Sequence, residues 1–308
     1  MAIGNIYLKR THIMFYRRKI LLALLESFGG RLKNTDFQKL TFLFCKETGE
    51  TFYDFFPYKY GGFSFVIYQD KRILSKQGFL KDSEDFQIGK NNGLLYSLKK
   101  EDREQIIDFT RKMNKLKTPD LIRKAYMEYP EYTEKSEILN KYFSSEEQLL
   151  LKQSSIFKLT PEKAIFTIGY EGKSIDAYLN ELIANDIRFL IDVRKNPKSM
   201  KFDFNKNKMR SYLQKIDVKY MHIPELGIDS ELRRDLSDSE SYGILFEKYE
   251  KELLPLASKE LSLIKNTLDE YKRVALTCFE KHYSNCHRHK IAEKLNELYK
   301  KQFETIHI

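Results

Sequence analysis

The sequence predicts an α/β protein, with a parallel-sheet C-terminal domain that carries helices on both faces and a mainly helical domain before it. Two patterns predict this class. In residues 14–98 apolar side chains recur at helical spacing, whereas from Lys163 onward short apolar strands alternate with helical segments and end in polar residues. The length of 308 residues fits two cores better than one.

Residues 14–98 form the predicted N-terminal domain. Glycine pairs and capping residues bound its helices, and an aromatic segment precedes the third helix. Cys45 lies on an apolar helical stripe, which predicts a small core residue. Three helices and a hairpin predict a winged-helix-like module. The predicted elements are a helix from Tyr16 to Phe28, a second helix capped by the side chain of Asn34 or Thr35, a helix from Ser64 to Lys76 and a turn at Asn91-Asn92-Gly93 between extended pieces.

Residues 99–162 are predicted to form a helical connector. They are highly charged, they keep apolar residues at helical spacing, and they lack the Gly/Ser runs of a flexible linker. Pro119 and Pro130 break the helices.

Residues 163–308 form the predicted α/β domain. Its first two strands are joined by a helix from Ile175 to Asn185, which predicts a parallel pair with a right-handed crossover. Because the carboxyl ends of parallel strands meet at one crevice, the polar residues that follow the strands should converge there. The predicted strands are Ala164–Ile168, Phe189–Arg194, Lys219–Ile223 and Arg273–Cys278.

The net charge indicates the class of partner, and the cysteine content indicates the compartment. The net charge is +10 and the pI is near 9.1, which favours a polyanion, with DNA preferred over RNA; a solvated basic face is the alternative. No apolar run is long enough for a membrane span, so we expect no membrane association. Three cysteines and no predicted signal peptide suit a reducing cytoplasm. A protein partner for the N-terminal domain and an oligomeric state are left open.

Five short motifs follow or end the predicted strands. They are Thr167-Ile-Gly-Tyr-Glu-Gly, Ile191-Asp-Val-Arg, Ile223-Pro-Glu-Leu-Gly, Cys278-Phe-Glu-Lys and Cys286-His-Arg. In this order they resemble the prokaryotic family called domain of unknown function 488, over about residues 164–308. The resemblance implies an α/β sheet domain with these motifs at one edge and implies no general activity. Many members have a His-Ser pair where this chain has Tyr170-Glu171.

A second resemblance covers some forty residues of the N-terminal part. The segments Phe37-Gln-Lys-Leu-Thr-Phe-Leu and Pro57-Tyr-Lys-Tyr-Gly-Gly-Phe-Ser resemble a small prokaryotic domain of antitoxin-like and defence-associated proteins. Together the two resemblances imply a context of genome or antiviral defence.

Carboxylates near the strand ends supply the candidate catalytic residues, which are Asp192, Glu280 and Glu171. Asp192 and Arg194 alternate by two on one strand and share a face. One interpretation makes Arg194 a phosphate or base clamp and Asp192 or Glu280 a general base or stabiliser of a developing cation, as N-glycosidic hydrolysis needs. The other makes Asp192 and Arg194 a buried structural ion pair. We expect Arg194→Ala to abolish ligand binding with the fold intact, and Cys278→Ser to be nearly silent.

Three interpretations compete for Cys278, Cys286 and His287. They are a zinc site, although seven residues separate the thiols; a cysteine nucleophile activated by a neighbouring Arg or His; and a buried Cys278 beside the start of a helix that binds an anion and is capped by Ser284 or Asn285. We assign no metal residues and leave the cofactor unknown. The candidate substrate-binding residues are Tyr170, Arg194, Glu225, Cys278, Lys281, His287 and Arg288.

The segment from Lys195 to Arg210 is basic and contains two phenylalanines without regular periodicity. Such a loop at the rim of the crevice suits a phosphate backbone and a stacked base, with a solvated loop as the alternative. The candidate nucleic-acid-binding residues are Lys195, Lys198, Lys201, Phe202, Phe204, Lys206, Lys208 and Arg210.

The leading hypothesis is a nucleic-acid-directed protein whose sheet domain binds, and in its stronger version hydrolyses, a nucleotide element. The first alternative is a non-catalytic recognition module for modified DNA or a nucleotide, which recruits an effector. The second alternative is a thiol-dependent enzyme that acts on a small metabolite.

Overall fold

The computed structural model describes residues 14–89, 93–154, 163–233 and 239–308. It divides into two compact units. One comprises the described residues up to Asp54 and from Lys59 to Leu151, and the other comprises Phe55–Tyr58 and the described residues from Lys152 to Ile308. Within the described ranges no helix is both long enough and apolar enough to cross a membrane.

The described residues form twelve α-helices and nine strands, with shorter 3-10 and π-helical segments between them. The helices are α1 (Tyr16–Ser27), α2 (Asn34–Thr48), α3 (Phe65–Lys76), α4 (Lys100–Met113), α5 (Thr118–Glu128), α6 (Leu139–Tyr142), α7 (Ser145–Ser154), α8 (Ile175–Ala184), α9 (Lys206–Lys215), α10 (Ser239–Lys248), α11 (Ser258–Tyr271) and α12 (Arg288–Leu298). The strands are β1 (Arg31–Leu32), β2 (Phe56–Tyr58), β3 (Gly61–Phe63), β4 (Phe86–Gln87), β5 (Ala164–Gly169), β6 (Phe189–Asp192), β7 (Lys219–His222), β8 (Arg273–Cys278) and β9 (Glu304–His307).

The first three helices follow their predicted ranges. Helix α1 is followed by Gly29 and Gly30, which both have positive φ and turn the chain away from the helix axis. Helix α3 is capped by Ser64, whose hydroxyl accepts a hydrogen bond from the Ile67 backbone N–H. The predicted side-chain cap of α2 is wrong, because Lys33 occupies the capping position without a side-chain hydrogen bond.

The predicted hairpin after α3 is also wrong. Strand β4 pairs antiparallel with β1, and the residues after Gly93 form a 3-10 turn, Leu94–Ser97, instead of a strand. Asn91 and Asn92 lie outside the described residues. The winged-helix-like interpretation is therefore not confirmed.

Helices α4 and α5, from the stretch predicted as a connector, pack within the first unit. The Phe109 ring of α4 lies 6.2 Å from the Phe28 ring and 5.4 Å from the Phe44 ring, in both cases edge to face. Helix α5 packs on α2. These helices complete the core that the apolar stripes of α1 and α2 begin.

Lys39 is a buried cation in that core. Its ammonium donates to the Tyr60 carbonyl oxygen and lies 5.5 Å from the Tyr126 ring centre. Burial lowers the pKa of Lys39 to about 7. The unfolded chain, with the ordinary lysine pKa of 10.5, therefore binds more protons than the folded chain above pH 7.

We expect the first unit to gain stability as the pH rises from about 7 towards 10.5. Chemical denaturation followed at several pH values checks this, and Lys39→Met should flatten the rise. Lys46→Met on the same helix is the control and should keep it. A slope that survives in Lys39→Met would assign the effect to another group.

The second unit is built on a parallel sheet, as predicted, and its strand order is β7-β6-β8-β5-β9. The predicted pairing of the first two strands is wrong, because β8 lies between β5 and β6 and pairs with both. The register pairs Asp192 with Thr277 and with His222, and pairs Gly169 with Cys278. The carboxyl ends of β5, β6, β7 and β8 therefore lie at one edge. Strand β9 was not predicted; it adds to β5 at the side of the sheet.

Helices cover both faces of this sheet, as predicted. Ile191, Val193, Leu276 and Cys278 join a core with residues of α11 and α12. On the other face Tyr178 of α8 donates a hydrogen bond to the Thr277 hydroxyl over 2.8 Å. Alternate residues of each strand therefore point to opposite faces of the sheet. Cys278 lies on the face that α11 and α12 cover, and Arg194 lies on the opposite face.

Candidate functional site

A cleft of about 770 Å³ opens at the carboxyl edge of the sheet. The ends of β5, β6 and β8 form its base, and the segment after β6 forms its wall. Among the described lining residues four are cationic and one, Asp229, is a carboxylate. The lining consists of Tyr170, Arg194, Lys195, Asn196, Lys198, Ser199, Met200, Lys201, Ile228, Asp229, Cys278 and Phe279.

Side chain to backbone hydrogen bonds fix the wall of the cleft. The Asn205 amide accepts from the Ser199 N–H at 2.8 Å and donates to the Ser199 carbonyl at 3.2 Å. The Lys201 ammonium donates to the carbonyl oxygens of Tyr170, at 3.3 Å, and Lys173, at 3.1 Å. The segment from Lys195 to Asn205 is thus held in one shape, and its lysines are displayed from an ordered backbone.

Gly227 explains why one motif ends in glycine. A Cβ at this position would lie 2.1 Å from the Lys195 backbone nitrogen and 2.4 Å from its Cα. The chain after β7 and the chain after β6 therefore touch backbone to backbone. This contact sets where the wall of the cleft begins.

Asp192 and Arg194 form a buried ion pair beneath the cleft. The guanidinium donates from Nε to Oδ1 at 2.8 Å and from Nη2 to Oδ2 at 2.5 Å. Asp192 also accepts from the Arg194 backbone N–H and from the Tyr220 hydroxyl, at 3.1 and 2.7 Å. Asp192 is fully buried and Arg194 is 5% exposed. Four hydrogen bonds occupy the carboxylate, which leaves it poorly placed to act as a base.

The rest of Arg194 holds neighbouring groups in place. Its Nη1 donates to the Tyr170 hydroxyl at 2.8 Å and to the Phe204 carbonyl oxygen at 3.0 Å. His222 Nε2 lies 2.8 Å from the Arg194 carbonyl oxygen. Burial lowers the pKa of Arg194, but Asp192 raises it more, so this pKa stays above its ordinary value. Burial, followed by Asp192, raises the pKa of Tyr220, and Arg194 opposes this rise.

Tyr170 forms part of the floor of the cleft. Its ring stacks on Phe204, with centroids 4.4 Å apart and planes within 8°, and meets Phe279 edge to face at 5.3 Å. Burial raises the pKa of its hydroxyl, opposed by Arg194. Phe204 is buried under Tyr170 and does not line the cleft.

Two strand ends dock on each other through backbone contacts. The N–H groups of Tyr170 and Glu171 donate to the Phe279 carbonyl oxygen at 3.1 and 2.9 Å. In return the Glu171 carboxylate accepts from the Lys281 N–H at 2.9 Å. A Cβ on Gly169 would lie 1.8 Å from the Glu280 carbonyl oxygen. The first motif therefore needs glycine at position 169 because two backbones meet there.

Arg288 stabilises the docked loop, which is the segment from Phe279 to Asn285 between β8 and α12. It is 1% exposed and donates to the carbonyl oxygens of Glu280, at 2.6 Å, and Lys281, at 3.0 Å. It does not line the cleft. Helix α12 starts at Arg288 without a side-chain cap, so the predicted cap by Ser284 or Asn285 is wrong.

Cys278, Cys286 and His287 meet on the other face of the sheet, in the layer of α12. The His287 Nδ1 lies 4.0 Å from the Cys278 sulfur and 3.8 Å from the Cys286 sulfur, and its Nε2 lies 2.9 Å from the Val193 carbonyl oxygen. All three residues are buried, and Cys278 is also part of the cleft lining. In the protein alone, burial, followed by Cys278, raises the pKa of the Cys286 thiol.

The remaining predicted site residues do not line the cleft. Glu225 and Lys281 are exposed, and Glu280 is half-buried. Phe202 is 67% exposed, with the Lys208 ammonium 5.3 Å from its ring centre. Lys206 and Arg210 are exposed on α9. The structure therefore brings Tyr170, Arg194, Lys195, Lys198, Lys201 and Cys278 together.

Sequence reasoning missed several residues of this site. Asn205 hydrogen-bonds the backbone of Ser199 in the cleft wall, and the Tyr220 hydroxyl donates a hydrogen bond to the Asp192 carboxylate. Asp229 is the carboxylate among the described residues that line the cleft. Tyr220 could have been found from the sequence, because it lies on the predicted strand Lys219–Ile223, which follows the Asp192 strand in the chain. Asn205 and Asp229 follow no periodic pattern.

Comparison with known proteins adds one match. Residues 174–295 match the family model described as a domain of unknown function, DUF488, which confirms the resemblance found in the sequence. The match lies in the second unit. Among curated proteins and among solved structures, none matches the chain.

Proposed function

We propose that the sheet domain, whose residues 174–295 match the DUF488 family, binds nucleic acid or a nucleotide element in the cleft at its carboxyl edge. The observation that carries the proposal is the coincidence of the cleft with a cluster of cations. Arg194, Lys195, Lys198 and Lys201 all line it. A positively charged groove at this position of an α/β sheet suits phosphate groups.

Exposed apolar side chains support a ligand that also presents bases. Phe279 lines the cleft and is 38% exposed, Met200 is fully exposed at the rim, and Phe202 follows on the same segment. Bases stack on aromatic rings while lysines track the backbone in sequence-tolerant binding of single strands. DNA stays the preferred polymer in our proposal.

The geometry favours the recognition version of this function over the hydrolytic version. Of the three proposed catalytic carboxylates, Asp192 is enclosed by Arg194 and Tyr220, and neither Glu171 nor Glu280 is part of the described lining. A hydrolase would depend on Asp229, the carboxylate that does line the cleft. Turnover that disappears in Asp229→Asn would establish that version.

The thiol-enzyme alternative is the weakest of the three. A nucleophilic cysteine needs an accessible thiolate, whereas Cys278 and Cys286 are each 1% exposed and the pKa of Cys286 is raised. Binding by the first unit to DNA or a protein partner, a cytoplasmic location and a role in antiviral defence remain parts of our proposal that rest on sequence resemblance and charge.

We predict that the full chain binds DNA with an affinity that falls steeply with salt, and that Lys195→Glu together with Lys198→Glu weakens binding. Both lysines are exposed and line the cleft. Each lost phosphate contact lowers the slope of log K against log salt by roughly 0.7 to 0.9. Fluorescence anisotropy with single-stranded and duplex oligonucleotides at several salt concentrations measures the slope.

The matched control is Lys259→Glu together with Lys300→Glu. These lysines are exposed in the same unit and lie away from the cleft lining, so both double variants carry the same net charge. The cleft variant should bind much more weakly than the control. Equal weakening would mean that binding follows net charge, and the cleft would lose its role. Binding without a salt slope would contradict the phosphate-based proposal.

A further inference from the structure

A second group of chemically active side chains lies behind the cleft and has no part in the proposed binding. Cys278 ends β8, while Cys286 and His287 directly precede α12. Their two sulfurs and one ring nitrogen all lie within 4.8 Å of one another. The three residues are 1%, 1% and 0% exposed. Two thiols and an imidazole are thus buried side by side, on elements that a seven-residue loop connects.

His287 is oriented as a ligand histidine usually is. Its Nε2 faces the Val193 carbonyl oxygen at 2.9 Å, and a carbonyl accepts hydrogen bonds only, so Nε2 carries the proton. Nδ1 then carries the ring lone pair and faces the two sulfurs. Histidines that bind metals commonly donate their second ring N–H to a backbone carbonyl or a carboxylate, which fixes the tautomer and the ring orientation.

We propose that Cys278, Cys286 and His287 bind a zinc ion. Two thiolates and an imidazole select a soft or borderline divalent cation, and zinc uses this donor set. Tetrahedral zinc with metal–sulfur and metal–nitrogen bonds of ordinary length places S and N about 3.6 Å apart. The distances from His287 Nδ1 to the two sulfurs, 4.0 and 3.8 Å, need to shorten by only a few tenths of an ångström.

The sequence objection to zinc concerned the spacing of the thiols. Zinc knuckles place their cysteines two to four residues apart because one tight turn supplies both ligands. Here the ligands come from a strand end and from the start of a helix, and the chain between them forms the docked loop that Arg288 holds. The long spacing follows from this route and is compatible with a metal.

The ion gives this part of the fold a structural link. It joins the end of β8 to the start of α12, and between them lies the loop with Phe279 in the cleft lining. Three protein ligands leave a fourth tetrahedral position for water or another donor. Of the three ligands, Cys278 is the one that also lines the cleft. Loss of zinc should therefore loosen the loop that carries Phe279.

Metal content of the full-length protein tests the proposal. We expect about one zinc per chain by plasma mass spectrometry after purification without a metal-affinity tag. After chelation, titration with Co²⁺ should give thiolate-to-cobalt charge-transfer absorption and the visible bands of a tetrahedral ion. Cys286→Ser and His287→Gln should lose both signals. Cys45→Ser, which removes the buried thiol of the other unit, is the control and should keep both.

Two results would overturn the proposal. The first is a folded wild-type protein that contains no zinc and gives no cobalt spectrum, a result that does not depend on whether any variant folds. The second is a thiol count in denaturant that finds Cys278 and Cys286 joined as a disulfide in freshly purified protein. DNA binding that fails while zinc is bound would leave this site standing and remove the cleft proposal.

Discussion

Replacing Arg194 with alanine should lower the free energy of unfolding by about 3 to 5 kcal/mol, because the change leaves a buried carboxylate without its partner. Asp192 is fully buried and accepts three of its hydrogen bonds from Arg194, the backbone N–H included. The side chain also holds Tyr170 and the Phe204 carbonyl. Denaturant unfolding monitored by circular dichroism measures the loss.

This expectation replaces the one drawn from the sequence, in which Arg194→Ala kept the fold and lost the ligand. Lys198→Ala is the control: it removes an exposed cation of the same cleft and should change stability by no more than about 0.5 kcal/mol. The double change Asp192→Asn with Arg194→Met should lower the free energy of unfolding less than Arg194→Ala alone, because it leaves no buried charge without a partner. A stable Arg194→Ala protein that no longer binds DNA would restore the clamp interpretation.

Gly169→Ala is the second change with a large expected effect. The added Cβ would lie 1.8 Å from the Glu280 carbonyl oxygen and 2.7 Å from its carbonyl carbon. Backbone atoms cannot rotate away as a side chain can, so β5 and the loop after β8 must separate. We expect the free energy of unfolding to fall by about 1 to 3 kcal/mol, the usual cost of overpacking. Thermal and denaturant unfolding measure this change.

Gly243→Ala provides the matched control for this steric argument. Gly243 lies in α10 of the same unit, and a Cβ there meets nothing within 4 Å. Because alanine favours a helix over glycine, this variant should be stabilised by about 0.5 to 1 kcal/mol. If Gly169→Ala behaved like Gly243→Ala, the close backbone approach that defines the first motif would be absent in solution.

Much of the sheet unit could be predicted because parallel strands that are buried on both faces form continuous apolar runs. β5, β6 and β8 are such runs or nearly so. Strand β9 escaped prediction, since Glu304–His307 is short, only partly buried and polar at both ends. In the first unit the error had a related cause: β1 pairs with β4 across more than fifty residues, a contact that no local turn pattern signals.

The candidate site shows the same limit. Sequence spacing placed Asp192 beside Arg194, but their burial depends on Tyr220, Phe204 and Tyr170, which come from other elements. The sequence suggested that Arg288 binds an anion. Its partners in the structure are the backbone carbonyls of Glu280 and Lys281, and a sequence does not reveal such contacts. The lysines were easier to predict, since an exposed basic segment after a strand end is already visible as composition.

The order of strands in the sheet determines when this unit can fold during synthesis. Strand β8 is central in the sheet, between β5 and β6, yet it lies more than eighty residues after β6 in the chain. Until it leaves the ribosome, β6 and β7 form the one adjacent parallel pair of the sheet among the described strands, and β5 lacks both neighbours. Long-range pairing of this kind folds slowly and leaves strand edges exposed meanwhile. The nascent domain is therefore most exposed to misassembly and proteolysis during the last part of its translation.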